Sequence, residues 1–265
     1  WEFSKSGVAI PPDAHVVSQP NDHHQERLLS QPWDQVFPHR VTRIVAMNVP
    51  VQHFLALNPH HAEWIRSSFN CSCPPQQING VLQRVMLQPK APLREAADRF
   101  RSTHLGAEVV VGLQIRTAGP PSWNDPSRLP ESSHTCLINC AQSVAKLLRL
   151  SNGTFKVLLA SDSVQVKQTA RDLLGDTVAT TEGRITHMDK SSPEEVAQNI
   201  LLILLDYLLL AEYTDRLVLM YSGYGFVAGW RSLLPFNLHP DSAHSCLRDR
   251  SDPTSWSSPS WCPSR

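Results

Sequence analysis

Several short segments of this sequence carry residue types suited to holding a charged ligand. Gln114 and Arg116 close a run of largely β-branched apolar residues, Val109-Val110-Val111-Gly112-Leu113-Gln114-Ile115-Arg116. A guanidinium at a strand end can grip a phosphate with two parallel hydrogen bonds, or pair with a structural carboxylate. Ser161-Asp162-Ser163 follows a second apolar run. Asp162 can take a ligand hydroxyl or base edge, or cap the helix that follows. Arg184, His187 and Asp189 follow a third run, and His187 can serve as base, ligand or filler. Ser222-Gly223-Tyr224-Gly225 follows a fourth. Its glycines let backbone approach a ligand, and the start of a helix beyond offers free N–H groups to an anion; a tight structural turn is the alternative. The segment is neither the dinucleotide G-x-G-x-x-G fingerprint nor a P-loop, which requires a lysine. If Arg116 and residues 222–225 meet over one crevice, they form a cradle for a diphosphate.

An alternation of strands and helices must position them. From Glu108 onward the pattern predicts a strand over 109–115, a Pro/Gly/Ser loop over 118–130 and a helix over 133–150. A strand over 156–160, a helix over 164–174 and a short strand over 177–180 follow. A long helix over 193–213, a strand over 216–221 and a helix from Phe226 complete the series. Short, nearly continuous apolar runs read as strands buried on both faces. Such an alternation implies right-handed crossovers and a parallel sheet, whose ligands bind beyond the strand C-termini. Ser192-Pro193-Glu194-Glu195 opens the long helix with a cap, a proline at the first position and the return half of a capping box. This helix is apolar nearly all round and therefore buried. Asp206 within it must be paired or functional, because a lone buried carboxylate is costly. Upstream, residues 1–35 are polar, contain Pro11, Pro12, Pro20 and Pro32, and read as irregular. Residues 36–107 read as mostly helical, with candidates at 61–69 and 94–104. The chain thus divides into an N-terminal part, 1–107, and an α/β part, 108–265.

Composition narrows the function classes. Of 265 residues, 41% are apolar and 18% charged, enough for a sizeable core. Twenty-four Lys and Arg cancel twenty-four Asp and Glu, so no bulk field draws nucleic acid or an anionic membrane. The apolar run 200–210 is broken by Asp206 and falls short of the roughly 20 residues a spanning helix needs. Trp1-Glu2-Phe3-Ser4-Lys5 is no signal peptide. Six cysteines stand at 71, 73, 136, 140, 246 and 262. Neither close pair has the two-residue spacer of a zinc knuckle, so no metal is expected. The even count fits disulfides in an oxidising compartment, with an all-reduced chain as the alternative. The sequons Asn70-Cys71-Ser72 and Asn152-Gly153-Thr154 also point to a secretory lumen.

The segment Val111-Gly112-Leu113-Gln114-Ile115-Arg116 resembles the first motif of the GDP-fucose-dependent fucosyltransferases, in which His-x-Arg or, in plant enzymes, Gln-x-Arg ends a strand. Residues 210–218 (LAEYTDRLV), followed by Ser222-Gly223-Tyr224-Gly225-Phe226-Val227-Ala228, are similar to the plant cell-wall, xyloglucan-type branch. There a helix ending in Thr-Asp leads through a strand to Ser-x-Phe-Gly-Tyr-Val-Ala. Leu234-Pro235-Phe236 and the later Cys246 and Cys262 resemble the same branch, and the match runs over residues 85–265. The resemblance implies a GT-B-like architecture, with a Rossmann-like C-terminal domain that binds GDP-fucose. It also implies an inverting, metal-independent transfer of L-fucose to a glycan hydroxyl, in the Golgi lumen, with any membrane anchor lying outside this sequence.

By the same resemblance, Arg116 binds the β-phosphate and stabilises charge on the leaving diphosphate. Gln114, Asp162, Ser222, Gly223, Tyr224 and Gly225 border the nucleotide sugar. Many members carry an acidic residue soon after the arginine; here Thr117-Ala118-Gly119 intervene and Asp125 is the first carboxylate. Asp125 and His187 are the candidates for the base. Transfer to protein Ser or Thr, and a non-catalytic glycan- or nucleotide-binding descendant, are the alternatives to glycan transfer.

Overall fold

In the computed structural model, residues 15–18, 26–27, 29–36, 42–45, 58–69, 75–106, 109–117, 131–148, 153–183, 192–220, 222–234 and 236–238 are described. The chain forms two compact units, Trp1–Gln88 and Pro89–Arg265.

The first unit contains a feature that the polar, proline-bearing reading of residues 1–35 missed. Strand β1 (His15–Ser18) pairs in parallel with β2 (Thr42–Val45), His15 opposite Thr42 and Ser18 opposite Val45. Both strands are four residues long, too short for their alternation to stand out from the surrounding loops. Among the described residues this unit also holds helices α1 (Trp33–Val36), α2 (Ala62–Phe69) and α3 (Pro75–Met86), with residues 26–27 and 29–30 helical as well. Asn58 is fully buried here; its Nδ2 donates to the Gln31 carbonyl at 2.7 Å and its Oδ1 accepts from the His60 amide at 2.9 Å.

The second unit is a Rossmann-like α/β layer structure. Its elements are α4 (Ala91–His104), β3 (Val109–Ile115), α5 (Glu131–Leu148), β4 (Phe155–Ser161), α6 (Val164–Leu174), β5 (Val178–Thr180), α7 (Pro193–Glu212), β6 (Arg216–Leu219), α8 (Gly223–Ser232) and β7 (Phe236–Leu238). The five strands lie in the order β5-β4-β3-β6-β7, and every pairing is parallel. Chain progress therefore runs outward from β3 to one edge, then returns to β3 and runs to the other. The reversal falls between β3 and β6, with Gln114 opposite Leu219. At such a switch point the loops leaving neighbouring strands part in opposite directions and leave a crevice.

The pleat divides the β3 side chains between two layers. Val111, Leu113 and Ile115 join Leu137 and Ala141 of α5 and Val166 and Ala170 of α6 in one core. Gly112 faces the other layer: a Cβ there would sit 2.5 Å from Leu217 Cδ2 and 2.9 Å from both Leu210 Cδ2 and Thr214 Cγ2. The missing side chain lets the end of α7 lie against the centre of the sheet. Leu208, Leu209, Leu210 and Ala211 are accordingly buried on several sides of α7. None of the described helices is long and apolar enough to cross a membrane.

The compact unit begins at Pro89, ahead of the change of character at Glu108. Helix α4 packs on α7, and its Arg94 and Asp98 bond to Glu212 and Tyr213. Most bounds shift from the sequence reading by one to three residues, and two differences bear on the site. β7 follows Leu234 where only a tail was expected, and α8 starts at Gly223 rather than Phe226.

Candidate functional site

The earlier start of α8 changes what the Ser-Gly-Tyr-Gly segment is. Glycines read as helix breakers, yet the first turn of a helix makes no intrahelical N–H bonds and tolerates them. Ser222 is the N-cap: its Oγ accepts from the Gly225 amide at 3.0 Å, and its carbonyl accepts from Phe226 N at 3.0 Å. Gly223, Tyr224 and Gly225 are thus the first helical turn. The amides of Gly223 and Tyr224, ahead of the capped one, are what this helix end offers an anion.

Gln114 fixes that helix end to the strand. Its Oε1 accepts from Ser222 Oγ at 3.0 Å, and both residues are buried. Gly225 makes the contact possible, since a Cβ there would fall 2.6 Å from Gln114 Oε1 and 3.2 Å from Ser222 Oγ. Gly225→Ala should therefore displace the glutamine amide and cost roughly 1–3 kcal/mol, as overpacking does. Urea denaturation measures this, and adding Gln114→Ala should recover part of the loss as a coupling energy.

The end of β3 is held from both sides. The Met220 amide donates to the Gln114 carbonyl at 3.4 Å, and the Arg116 amide donates to Met220 Sδ at 2.6 Å. On the other side Asp162 Oδ1 accepts from Thr117 N at 2.7 Å and from Thr117 Oγ1 at 3.0 Å. Asp162 is therefore not the cap of α6. Ser163 is, accepting from Val166 N at 3.3 Å. Asp162 instead clamps the residue next to Arg116. Thr117 was not singled out in the sequence; a hydroxyl directly after a strand-end arginine carries little signal of its own.

Tyr224 points its hydroxyl at α7, where it donates to the Ile203 carbonyl at 2.9 Å, and its ring meets that of Tyr207 edge-on. Burial, reinforced by Asp206 and Tyr207, pushes its phenol well above the ordinary range, so it stays a neutral donor. Of the sequence candidates, Gln114, Arg116, Asp162 and residues 222–225 thus come together at the ends of β3, β4 and β6. Asp125 and His187 lie outside the described residues. So do Cys71, Cys73, Cys246, Cys262, Asn70 and Asn152.

The Thr-Asp pair at the end of α7 lies elsewhere. Asp215 N donates to the Val110 carbonyl, and Asp215 Oδ2 accepts from Val110 N, both at 2.7 Å. This locks the N-terminal end of β6 to that of β3, at the end of the sheet opposite the crevice. Thr214 Oγ1 closes the helix end on the Leu210 carbonyl at 2.8 Å. The pair sets strand register and contributes nothing directly to the site.

No protein-family model matches the sequence, and no curated protein does. Solved structures do. FUT1 of Arabidopsis thaliana, in a mutant form in complex with GDP, superposes with a TM-score of 0.60 at 17% identity, over 89% of this chain and 53% of that one. The fold is the one seen in FUT1. It is GT-B-like, in agreement with the resemblance read from the motifs. The chain spans about half the length of FUT1. Weaker likenesses are to the fucosyltransferase NodZ from Bradyrhizobium (TM-score 0.40, 18% identity, 55% of this chain and 43% of that one) and to POFUT1 in complex with GDP-fucose (0.37, 13%, 83% and 70%).

Proposed function

We propose that the crevice beyond β3 and β6 holds the diphosphate of GDP-fucose, and that the protein transfers L-fucose to a glycan hydroxyl with inversion. One observation carries this reading. The topological switch falls between the two strands whose ends bear Arg116 and Ser222, and Gln114 ties those ends together at 3.0 Å. Arg116 directly follows β3, two residues beyond the Gln114 that contacts Ser222, so this reading aims its guanidinium at the N-terminus of α8. A guanidinium and the amides of a helix N-terminus then converge, a combination suited to two linked phosphates.

The chemistry needs little else. The acceptor oxygen attacks the anomeric carbon opposite the diphosphate, the carbon–oxygen bond to GDP breaks, and the acceptor proton passes to a base late in the step. Asp125 and His187 are the candidates for that base. Charge accumulates on the departing diphosphate, where Arg116 and the α8 amides stabilise it in place of a metal. The reading also assigns the protein to the Golgi lumen, in line with its sequons and even cysteine count.

A thermal-shift series with GDP, GDP-fucose, UDP and ADP tests the donor. GDP and GDP-fucose should raise the melting temperature and the others should not, since a ligand that binds only the folded state stabilises it. No response to any of them overturns the proposal. GDP release assayed in parallel on a xyloglucan-type glycan and on a Ser/Thr peptide then separates glycan from protein acceptors.

A further inference from the structure

A second polar cluster lies beneath the exit of β5, and Tyr224, a crevice residue, also faces it. Lys167, on α6, is 4% exposed, and its Nζ donates to the Thr181 carbonyl at 2.8 Å and the Gly183 carbonyl at 3.1 Å. A lysine sits on the buried stripe of α6, with Val166, Ala170 and Leu174, because its ammonium has these carbonyls to bond. Asp206, on α7, is 1% exposed, and its Oδ1 accepts from Thr181 Oγ1 at 2.7 Å. Its other oxygen, Oδ2, is buried and makes no hydrogen bond among the described residues, nor does the hydroxyl of Thr180. One turn of chain, residues 181–183, is therefore fastened from two helices by a cation and a carboxyl.

We infer that Asp206 is a proton-operated latch on the turn after β5, closed when its carboxyl is neutral and loosened when it ionises. A neutral carboxyl fits the pocket: Oδ1 accepts from Thr181, and no charge is stranded on an unsolvated Oδ2. An ionised one has a single hydroxyl donor and gains by opening to water.

Among the described residues, the charged and titratable groups facing the site are few. Lys167 faces it from α6, with Glu182, Arg171 and Asp162 acting in turn on that lysine; Tyr224 faces it from α8. Burial pushes the Asp206 carboxyl up to about 7, against the opposing pulls of the Thr181 hydrogen bond and Lys167. The sign follows. A closed form that binds a proton more tightly than the open form is favoured by acid, so opening increases as pH rises from about 4 through 7 and levels off above.

Hydrogen exchange on the whole protein tests this without any nucleotide. After correction for intrinsic rates, the peptide covering residues 181–183 should open about thirtyfold more at pH 8.5 than at pH 5.5, a change of ~2 kcal/mol. A peptide from β3 serves as reference. Asp206→Asn, which keeps the acceptor and stays neutral, should hold the turn closed and flatten the profile. A flat wild-type profile, or an Asp206→Asn protein that still opens with rising pH, overturns the inference. Lys167→Arg should retain the pH dependence, which separates the latch from simple loss of packing; a flattened Lys167→Arg profile counts against it too.

Discussion

Arg116→Ala is expected to weaken GDP binding roughly 10–100-fold, the worth of a charge-assisted, bidentate contact of about 1.5–3 kcal/mol. Turnover should fall further, by about 10²–10³, because charge on the diphosphate is greatest as the sugar leaves. The fold should survive. The polar groups that hold the end of β3 are backbone and neighbours: Arg116 N on Met220 Sδ, Thr117 on Asp162, Gln114 on Ser222. Arg116→Lys keeps the charge but not the planar fork, and should recover only part of the affinity. Calorimetric titration with GDP, beside a urea melt of each variant, reads both quantities. An Arg116→Ala protein with wild-type affinity would mean that the crevice grips its ligand by other groups.

Glu212→Ala is expected to cost about 3 kcal/mol of stability. Glu212 Oε1 accepts from Arg231 Nε at 2.9 Å and from its terminal nitrogen at 2.5 Å, while Oε2 pairs with Arg94. The Arg231 side chain is 2% exposed, so removing the carboxylate leaves a buried guanidinium without its counter-charge. The Arg94 pair is more exposed and contributes much less. Burial alone would push the Glu212 carboxyl up; the hydrogen bonds from Arg94 and Arg231 outweigh it and hold the carboxyl below its ordinary range. A depressed carboxyl contributes stability above the unfolded value, near pH 4, and that stability is lost as pH falls through the folded value. Glu212→Gln should therefore lie between wild type and Glu212→Ala at pH 7, and approach wild type in acid. Urea midpoints at pH 7 and pH 3.5 measure both effects.

The sheet was legible because its strands are buried on both faces. The run from Val109 to Ile115 contains no polar residue before Gln114, and the strand observed has the bounds expected. Helix α6 likewise runs from Val164 to Leu174 as its apolar stripe required. β1 and β2 were not read because they lie in polar, proline-bearing or helix-like stretches, and β7 because it follows Pro235 in what reads as a tail. Within the site, residue types and order were legible but their mutual contacts were not. Ser222 as a cap, Gln114 as its acceptor and Thr117 as the residue held by Asp162 depend on which strands lie side by side. That information resides in the pairing of β3 with β6 and with β4, which brings together side chains 108 and 45 positions apart in the sequence. Lys167 was the one legible clue left unused: a cation in register with Ala170 and Leu174 needs buried acceptors to be there at all.

The order of the strands has a consequence for biogenesis. β3 is the first strand of its sheet to be synthesised and the central one in the finished sheet. Its second neighbour, β6, leaves the ribosome only after two further strands and three helices have been made. Until then the apolar edge of β3 on that side is open to any other nascent chain. Parallel pairing at such separations is slow and invites aggregation. Chaperone demand during translation should therefore end when β6 docks, and truncations before Arg216 should accumulate as insoluble material where truncations after Leu238 do not.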